Sequence, residues 1–366
     1  MKRILILTAR FGEGHNAAAR NLSEALRALC PDEVRVEVRD LFEGCYGRWN
    51  DLVRCLYLET IRRAPGLWAK FYCAVDSSTA IQSKLGAFPR VKRALAEVLR
   101  TVRPDVVVST FPSYGHLLDS IRITDQIPQF SLVTIITDSI SINSIWYRCS
   151  SRYFIVANEA TAGVLKAGGV DEECIRVLGF PVPIKFSKLD PNLRPSPEAG
   201  VKILFMVNAH KRQAVELSQR LAALDGVELT VTTGLDDRLQ RVIQESTSSA
   251  GNCVQVLGWT ERMPELMASS HLLVGKAGGA TVQEAIAARC PMLITHVIPG
   301  QEEGNARLLV ESGCGEVVGS VDHAIGVVER LFANGADEWK RWYSRISELN
   351  NPGAPFDIAR FVLEVS

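Results

Sequence analysis

The chain has 366 residues, 41 basic and 41 acidic side chains, and a hydrophobic fraction of 47%. That length predicts two or three domains, two being the simpler division, and the hydrophobic fraction is ordinary for a globular protein with full cores. A net charge of zero excludes a global field that would draw the chain to nucleic acid or membrane, leaving such binding to local patches.

Nine cysteines are scattered without a C-x-x-C pair, and no secretory signal precedes the first strand. Reduced thiols in a cytoplasmic protein are therefore expected. No apolar run approaches the ~20 residues a membrane span requires. Any work on lipid must be done from the surface.

Lys2–Thr8 (KRILILT) reads as a parallel strand buried on both faces. A glycine loop, Phe11-Gly12-Glu13-Gly14-His15, precedes a helix whose apolar positions Ala18, Leu22, Ala25, Leu26 and Leu29 recur at helical spacing. Val34–Val38 supplies the next strand. The opening lacks a full G-x-G-x-x-G, so dinucleotide binding is not supported. His15 stands at the helix start, where the dipole disfavours imidazolium and so favours the neutral base. It suits either proton transfer or simple packing against the turn.

Residues Leu41–Pro89 leave the α/β rhythm. They combine aromatics (Trp49, Tyr57, Trp68, Tyr72) with bases (Arg54, Arg62, Arg63, Lys70), and Leu52, Leu56 and Ile61 lie near one helical face. A basic amphipathic helix with interfacial aromatics suits an anionic membrane surface, with Arg62, Arg63 and Trp68 as contacts. The alternative is a helical insertion packed on the sheet with solvated arginines.

The rhythm resumes with a helix at Val91–Val102 and a strand at Asp105–Ser109, which ends at Thr110-Phe111-Pro112. A strand at Phe130–Thr137 delivers Asp138 to the loop beyond it, with Trp146 following. Asp138 suits a general base, a group orienting His15, or a loop cap. Arg152–Ala157 and Ile175–Leu178 read as strands around a helix at Glu159–Ala167. Three prolines between Ser187 and Gly200 mark a domain boundary. The expected division is 1–186, a linker 187–200, a second domain 201–350 and a terminal helix in 351–366 that crosses back to the first domain.

The second half restarts the pattern. Strands are expected at Lys202–Val207, Val227–Thr232 and Val254–Leu257, with helices at Gln213–Leu224 and Met263–Ser269. The stretch on which the chain is organised follows at Leu272–Val318. Its strand Leu272–Val274 leads into Gly275-Lys276-Ala277-Gly278-Gly279-Ala280, and Thr281 is expected to begin the helix Val282–Arg289. A glycine turn before a helix leaves N–H groups free at a positive helix end, where an anion can sit. Glu284 lies where it could accept bonds from a sugar's hydroxyl pair. A further strand, Pro291–Val297, ends in Pro299-Gly300-Gln301-Glu302-Glu303-Gly304-Asn305, whose amide and carboxylate oxygens suit a polyhydroxylated ligand. Adjacent strand ends with polar glycine-rich loops fit the rule that ligands gather beyond the carboxyl ends of parallel sheets.

GKAGGATVQEA followed by PGQEEGN resembles the donor half of the diacylglycerol glycosyltransferases, which comprise monogalactosyldiacylglycerol synthases and processive diacylglycerol glucosyltransferases. The lipid II-forming N-acetylglucosaminyltransferase is a more distant relative. The resemblance implies two Rossmann-like α/β domains facing across a cleft, the GT-B arrangement. It further implies transfer of a hexose from a UDP-sugar, glucose or galactose, to a diacylglycerol-like lipid acceptor. No cofactor is implied, and no Asp-x-Asp metal signature appears near the donor loops. On this resemblance Lys276, Gly278, Gly279, Ala280 and Thr281 meet the diphosphate and Glu284 the ribose. Gly300, Gln301, Glu302 and Asn305 surround the hexose, and Gly258, Trp259 and Met263 match the segment that holds the uracil.

In the first domain, Gly12-x-Gly14-His15-x-Ala17-Ala18 resembles the family's G-G-G-H-x-x-A/S-A signature. His15 and Asp138 become the catalytic candidates, and Gly12, Gly14, Phe111, Pro112 and Trp146 line the acceptor side. Localisation would be cytoplasmic, peripheral on the inner face of the membrane. Three positions depart from the family. Glu13 replaces a glycine, Asn143 stands where a histidine belongs, and Asn208-Ala209-His210-Lys211 lacks the usual glycine. These departures keep open a polyprenyl-linked or other amphiphilic acceptor and a non-catalytic sensor of nucleotide-sugar or lipid. A UDP-sugar epimerase of the same architecture is a further alternative.

Overall fold

Apolar runs such as Ile4–Leu7 need cover on both faces of a sheet, and parallel α/β packing supplies it. The computed structural model describes residues 1–10, 12–47, 60, 66, 76, 88–124, 127–207, 211–248 and 253–365. Two units result, each built on a six-stranded parallel sheet. The first holds Met1–Ile184, Ile298–Gly304 and Gly353–Ser366, and the second Lys185–Val297 and Asn305–Pro352.

The first sheet comprises β1 (Lys2–Thr8), β2 (Val34–Asp40), β3 (Val106–Ser109), β4 (Ser131–Ile135), β5 (Tyr153–Val156) and β6 (Ile175–Val177), in the order β2-β1-β3-β4-β5-β6. Its helices are α1 (Glu13–Leu29), α2 (Leu41–Tyr46), α3 (Pro89–Val102), α4 (Ser113–Thr124) and α5 (Glu159–Ala167). Successive residues of β1 feed opposite cores. Ile4 and Ile6 pack with Leu22 and Leu26 of α1, and Leu5 and Leu7 pack with Leu95 and Leu99 of α3.

The second sheet contains β7 (Val201–Met206), β8 (Val227–Thr232), β9 (Val254–Leu257), β10 (Leu272–Lys276), β11 (Met292–His296) and β12 (Gly315–Val317), in the order β12-β11-β10-β7-β8-β9. Around it lie α6 (Lys211–Ala222), α7 (Asp237–Thr247), α8 (Met263–Ser269), α9 (Gly279–Ala287), α10 (Glu303–Glu311), α11 (Val321–Phe332) and α12 (Asp337–Glu348). The last helix, α13 (Ala354–Glu364), belongs to the first unit. Its Ile358, Ala359 and Val362 enter the α1 core, and Lys2 Nζ donates to the carbonyls of Leu363 and Val365, both at 2.6 Å. A lysine at the carbonyl end of a helix answers its negative dipole.

The strand order reverses between β1 and β3 in one sheet and between β7 and β10 in the other. Loops leaving the two strands at such a point diverge and open a crevice. α1 starts beside the first reversal and α9 beside the second. Both have a glycine N-cap, Gly12 and Gly278, and no side-chain cap. α3, α8, α12 and α13 also lack a side-chain cap, whereas Asp40, Asn158, Asp236 and Ser320 cap α2, α5, α7 and α11 through their side chains.

Some boundaries differ from the sequence expectation. The helix expected to start at Thr281 begins at Gly279, because a short extended glycine cap suffices to turn the chain. It ends at Ala287 rather than Arg289, which adopts a left-handed φ of 51°. β4 stops at Ile135, which leaves Thr137 and Asp138 together on the loop. Arg62, Arg63 and Trp68, like Asn208–His210, lie outside the described residues.

Candidate functional site

His15 sits in the first turn of α1, just past the end of β1. Its Nδ1 is 2.9 Å from Thr137 Oγ1, and its backbone carbonyl accepts from Thr110 Oγ1 at 3.1 Å. The ring meets Phe111 edge-on at 5.2 Å and Trp146 at 5.7 Å between centroids. Two residues expected on the acceptor side, Phe111 and Trp146 from separate loops, are thus gathered around one imidazole. Burial against these groups lowers the His15 pKa to about 4, outweighing the Thr110 contact that raises it. The neutral form expected from the helix dipole is therefore present, with desolvation as the larger cause.

The hydroxyl described at His15 Nδ1 belongs to Thr137, and Asp138 follows it, part-buried, on the same loop. That loop is strained. Ile140 has a φ of 59°, a region β-branched residues rarely occupy. Its N–H is held at 3.0 Å by the buried Thr161 Oγ1. Strain that neighbouring contacts enforce tends to collect at functional sites. Sequence reading missed both Ile140 and Thr161, since neither has a composition signal. Asn143, at the family's histidine position, is 3% exposed, and its Oδ1 accepts from Ile145 N–H at 3.1 Å. It caps the single turn Ser144–Trp146 and so helps place the Trp146 ring. Pro112 is part-buried at the end of β3, and Gly12 and Gly14 frame the start of α1.

In the second unit, Lys276 ends β10 beside His296, which ends β11; the register pairs them across a local shift at Gly275/Lys276. Both line a cavity of about 50 Å³, with Gln213, Thr295 and Ser320 also on its wall. Beside it the first turn of α9 presents Gly279, Ala280 and Thr281, and Glu284 follows in the next turn, part-exposed. His296 was not singled out in the sequence, although its place at a strand end next to the reversal is the signal that finds it. Gly275 is needed here for close approach, because a Cβ would stand 3.3 Å from the Met206 carbonyl.

Trp259 is 69% exposed, so its indole is no core residue and is open to stacking. Gly258 before it is tight against Gln240 and Gly234, and Met263 opens α8. Lys211, a possible partner for phosphate charge, forms its ion pair with Asp236 at the α7 N-cap.

The loop after β11 is internally braced. Glu302 is 4% exposed and its Oε2 accepts from Ile298 N–H at 3.0 Å, while Gly300 takes a φ of 79°. Gln301 is part-exposed and Asn305 is buried at the start of α10. Ile298–Gly304 clusters with the first unit, where a Cβ on Gly304 would meet the Ser139 carbonyl at 2.0 Å.

Residues 15–182 match the family model for monogalactosyldiacylglycerol (MGDG) synthase, and residues 209–338 match that for the glycosyltransferase family 28 C-terminal domain. The first half of the chain thus resembles the MGDG synthases and the second the family 28 glycosyltransferases. It is 26% identical over 359 residues to the processive diacylglycerol beta-glucosyltransferase of Bacillus subtilis (strain 168), covering 95% of this chain and 91% of that one. The protein of the same name from Staphylococcus aureus (strain Newman) is 25% identical over 374 residues, covering 100% and 93%. Among solved structures, Acinetobacter baumannii MurG superposes with a TM-score of 0.64 at 12% identity, covering 100% of both chains. The S. aureus MnaA–UDP structure gives 0.60 at 16%, covering 99% of this chain and 95% of that one. These two likenesses concern the fold, and they bear out the GT-B class expected from the sequence.

The part-buried His15 makes a signed pH prediction. A histidine with a depressed folded pKa binds its proton more readily when unfolded, so stability is fully present above the unfolded value of 6.5 and is lost as pH falls toward 4. NMR titration should find His15 neutral at pH 6; a midpoint near 6.5 would contradict the packing described. Thr137→Val should leave the fold intact and lower turnover about ten- to a hundredfold through misorientation of the ring. Full activity would remove the Thr137 hydroxyl from the account.

Proposed function

We propose that this protein transfers a hexose from a UDP-sugar to the hydroxyl of a diacylglycerol-like lipid. The first unit would bind the acceptor and the second the donor's nucleotide. The reading is carried by the uncapped start of α9 at the reversal point of a unit matching a glycosyltransferase C-terminal domain, in a chain whose other half matches MGDG synthase. The relatives' names supply the acceptor class.

In this mechanism neutral His15 takes the acceptor hydroxyl's proton, with Thr137 orienting the ring and Asp138 nearby on the same loop. The acceptor oxygen bonds to the anomeric carbon as the bond to the diphosphate breaks and UDP departs. Base catalysis of this kind is typically worth about 10²–10⁴-fold. The leaving diphosphate is met by the N–H groups of Gly279, Ala280 and Thr281 and by Lys276. Several aligned donors are required, because a helix end alone supplies about 0.3–1 kcal/mol, or ~2 when partly buried. Trp259 stacks the uracil with Gly258 and Met263 beside it, Glu284 accepts from the ribose hydroxyls, and Gly300, Gln301, Glu302 and Asn305 enclose the hexose.

No helix among the described residues is long and apolar enough to cross a membrane. Contact with an anionic inner membrane surface is proposed for Arg62, Arg63 and Trp68 on compositional grounds. Arg62→Ser with Arg63→Ser should reduce partitioning onto anionic vesicles; equal partitioning would return that stretch to ordinary packing.

The direct test is UDP release from UDP-glucose and UDP-galactose, with and without diacylglycerol in mixed micelles. Lipid-dependent release with one of the two sugars is expected. Release that ignores the lipid, or none at all, would overturn the proposed activity.

A further inference from the structure

Arg194 lies in the proline-rich stretch that opens the second unit, and it is part-buried. Its Nε donates to the Ser270 carbonyl at 2.5 Å. One terminal nitrogen donates to the Arg289 carbonyl at 2.8 Å, and the other to Ala288 at 2.9 Å and Met267 at 3.3 Å. The guanidinium lies over the Tyr343 ring, 5.1 Å from its centroid. Among the described residues no carboxylate pairs with it.

Those four carbonyls have a common origin. Met267 and Ser270 close α8, and Ala288 and Arg289 close α9. The last carbonyls of a helix have no intrahelical donor and carry the negative end of its dipole. One guanidinium therefore satisfies two helix ends at once, which its planar fork allows and a lysine ammonium does not. Asn350 reinforces the α9 end by donating to Ile286 and Ala287 at 2.9 and 2.8 Å, and Cys290 Sγ donates to Ser270 at 3.4 Å.

His271 locks the same stretch of chain from the other side. It is fully buried, and its Nδ1 accepts from Lys202 N–H at 2.9 Å, so Nε2 carries the proton and donates to the Pro195 carbonyl at 3.0 Å. Trp339 Nε1 donates to the His271 carbonyl at 2.7 Å. The residue following Arg194 is thus fixed to the start of β10, the strand that leads to Lys276.

The opposite ends of α8 and α9 are the two halves of the donor site. α8 starts at Met263, just after Trp259, and α9 starts at Gly279. We infer that Arg194 is a positioning residue for the nucleotide: by tying the rear ends of α8 and α9 it sets the spacing between the uracil platform and the diphosphate cradle. This rests on the donor-site reading above. The guanidinium itself touches no substrate, so its loss acts on the geometry of donor binding rather than on proton transfer.

The experiment compares wild type, Arg194→Lys, Arg194→Ala and, as a destabilised comparator, the core variant Leu221→Ala, all confirmed folded by circular dichroism below their melting points. UDP affinity is measured by calorimetry, and donor KM and kcat by turnover. Arg194→Lys is expected to weaken UDP at least about tenfold and to raise donor KM similarly, with kcat at saturating donor within about twofold. Leu221→Ala is expected to lose melting temperature and keep UDP affinity. Millimolar guanidinium chloride, against a sodium chloride control, is expected to restore UDP affinity to Arg194→Ala. Unchanged UDP affinity in folded Arg194→Lys, or equal loss in Leu221→Ala, overturns the inference while the donor site stands. A wild-type protein that binds no UDP overturns the donor reading and this inference with it.

Discussion

Parallel strands place all their carboxyl ends on one edge of a sheet, and that constraint governs where chemistry can sit here. Each sheet reverses its strand order once, at β1/β3 and at β7/β10, so each unit has one place where departing loops must part. The helices that begin there, α1 and α9, are started by glycines and lack a capping side chain. Their leading N–H groups, unmet within the helix, are available to something else. A histidine occupies the first position, and a lysine with a row of backbone donors the second. One architectural rule used twice yields the place proposed for proton transfer and the place proposed for an anion.

The two units solve the accompanying problem of rigidity in different ways. In the first, His15 is held by hydrogen bonds at its ring and backbone and by aromatic edges, which cost it solvent and lower its pKa. Next to it the chain holds Ile140 in a strained conformation secured by Thr161. In the second, bracing lies behind the site, in Arg194, Asn350 and His271.

Much of the fold was legible because buried parallel strands read as continuous apolar runs. β1, β8 and β9 fall where the hydrophobic pattern puts them, as do α5 and α8. Short or polar elements were less legible. β12 spans three residues, and α7 and α12 are amphipathic helices whose charged faces give no chemical motif. At the site, strand-end position and the family resemblance together singled out His15, Phe111, Trp146, Lys276 and the glycines as candidates. Thr137 and His296 were passed over because their significance comes from cross-strand neighbours, which a linear reading does not supply. Arg194 gave no signal for the same reason, its partners being carbonyls 73 to 95 residues away. The exposure of Trp259 could not be read from sequence either, since tryptophan is ordinarily buried.

The account turns on α9 as the holder of a diphosphate, and calorimetric titration with UDP, UMP and uridine tests that most directly. If the first turn of α9 and Lys276 meet the diphosphate, affinity should fall stepwise as phosphates are removed. The total loss should be at least about a hundredfold, as expected for charge-assisted hydrogen bonds to anionic oxygens. Equal affinity for UDP and uridine would mean that the glycine-started helix does not hold the diphosphate, and the central claim would fail.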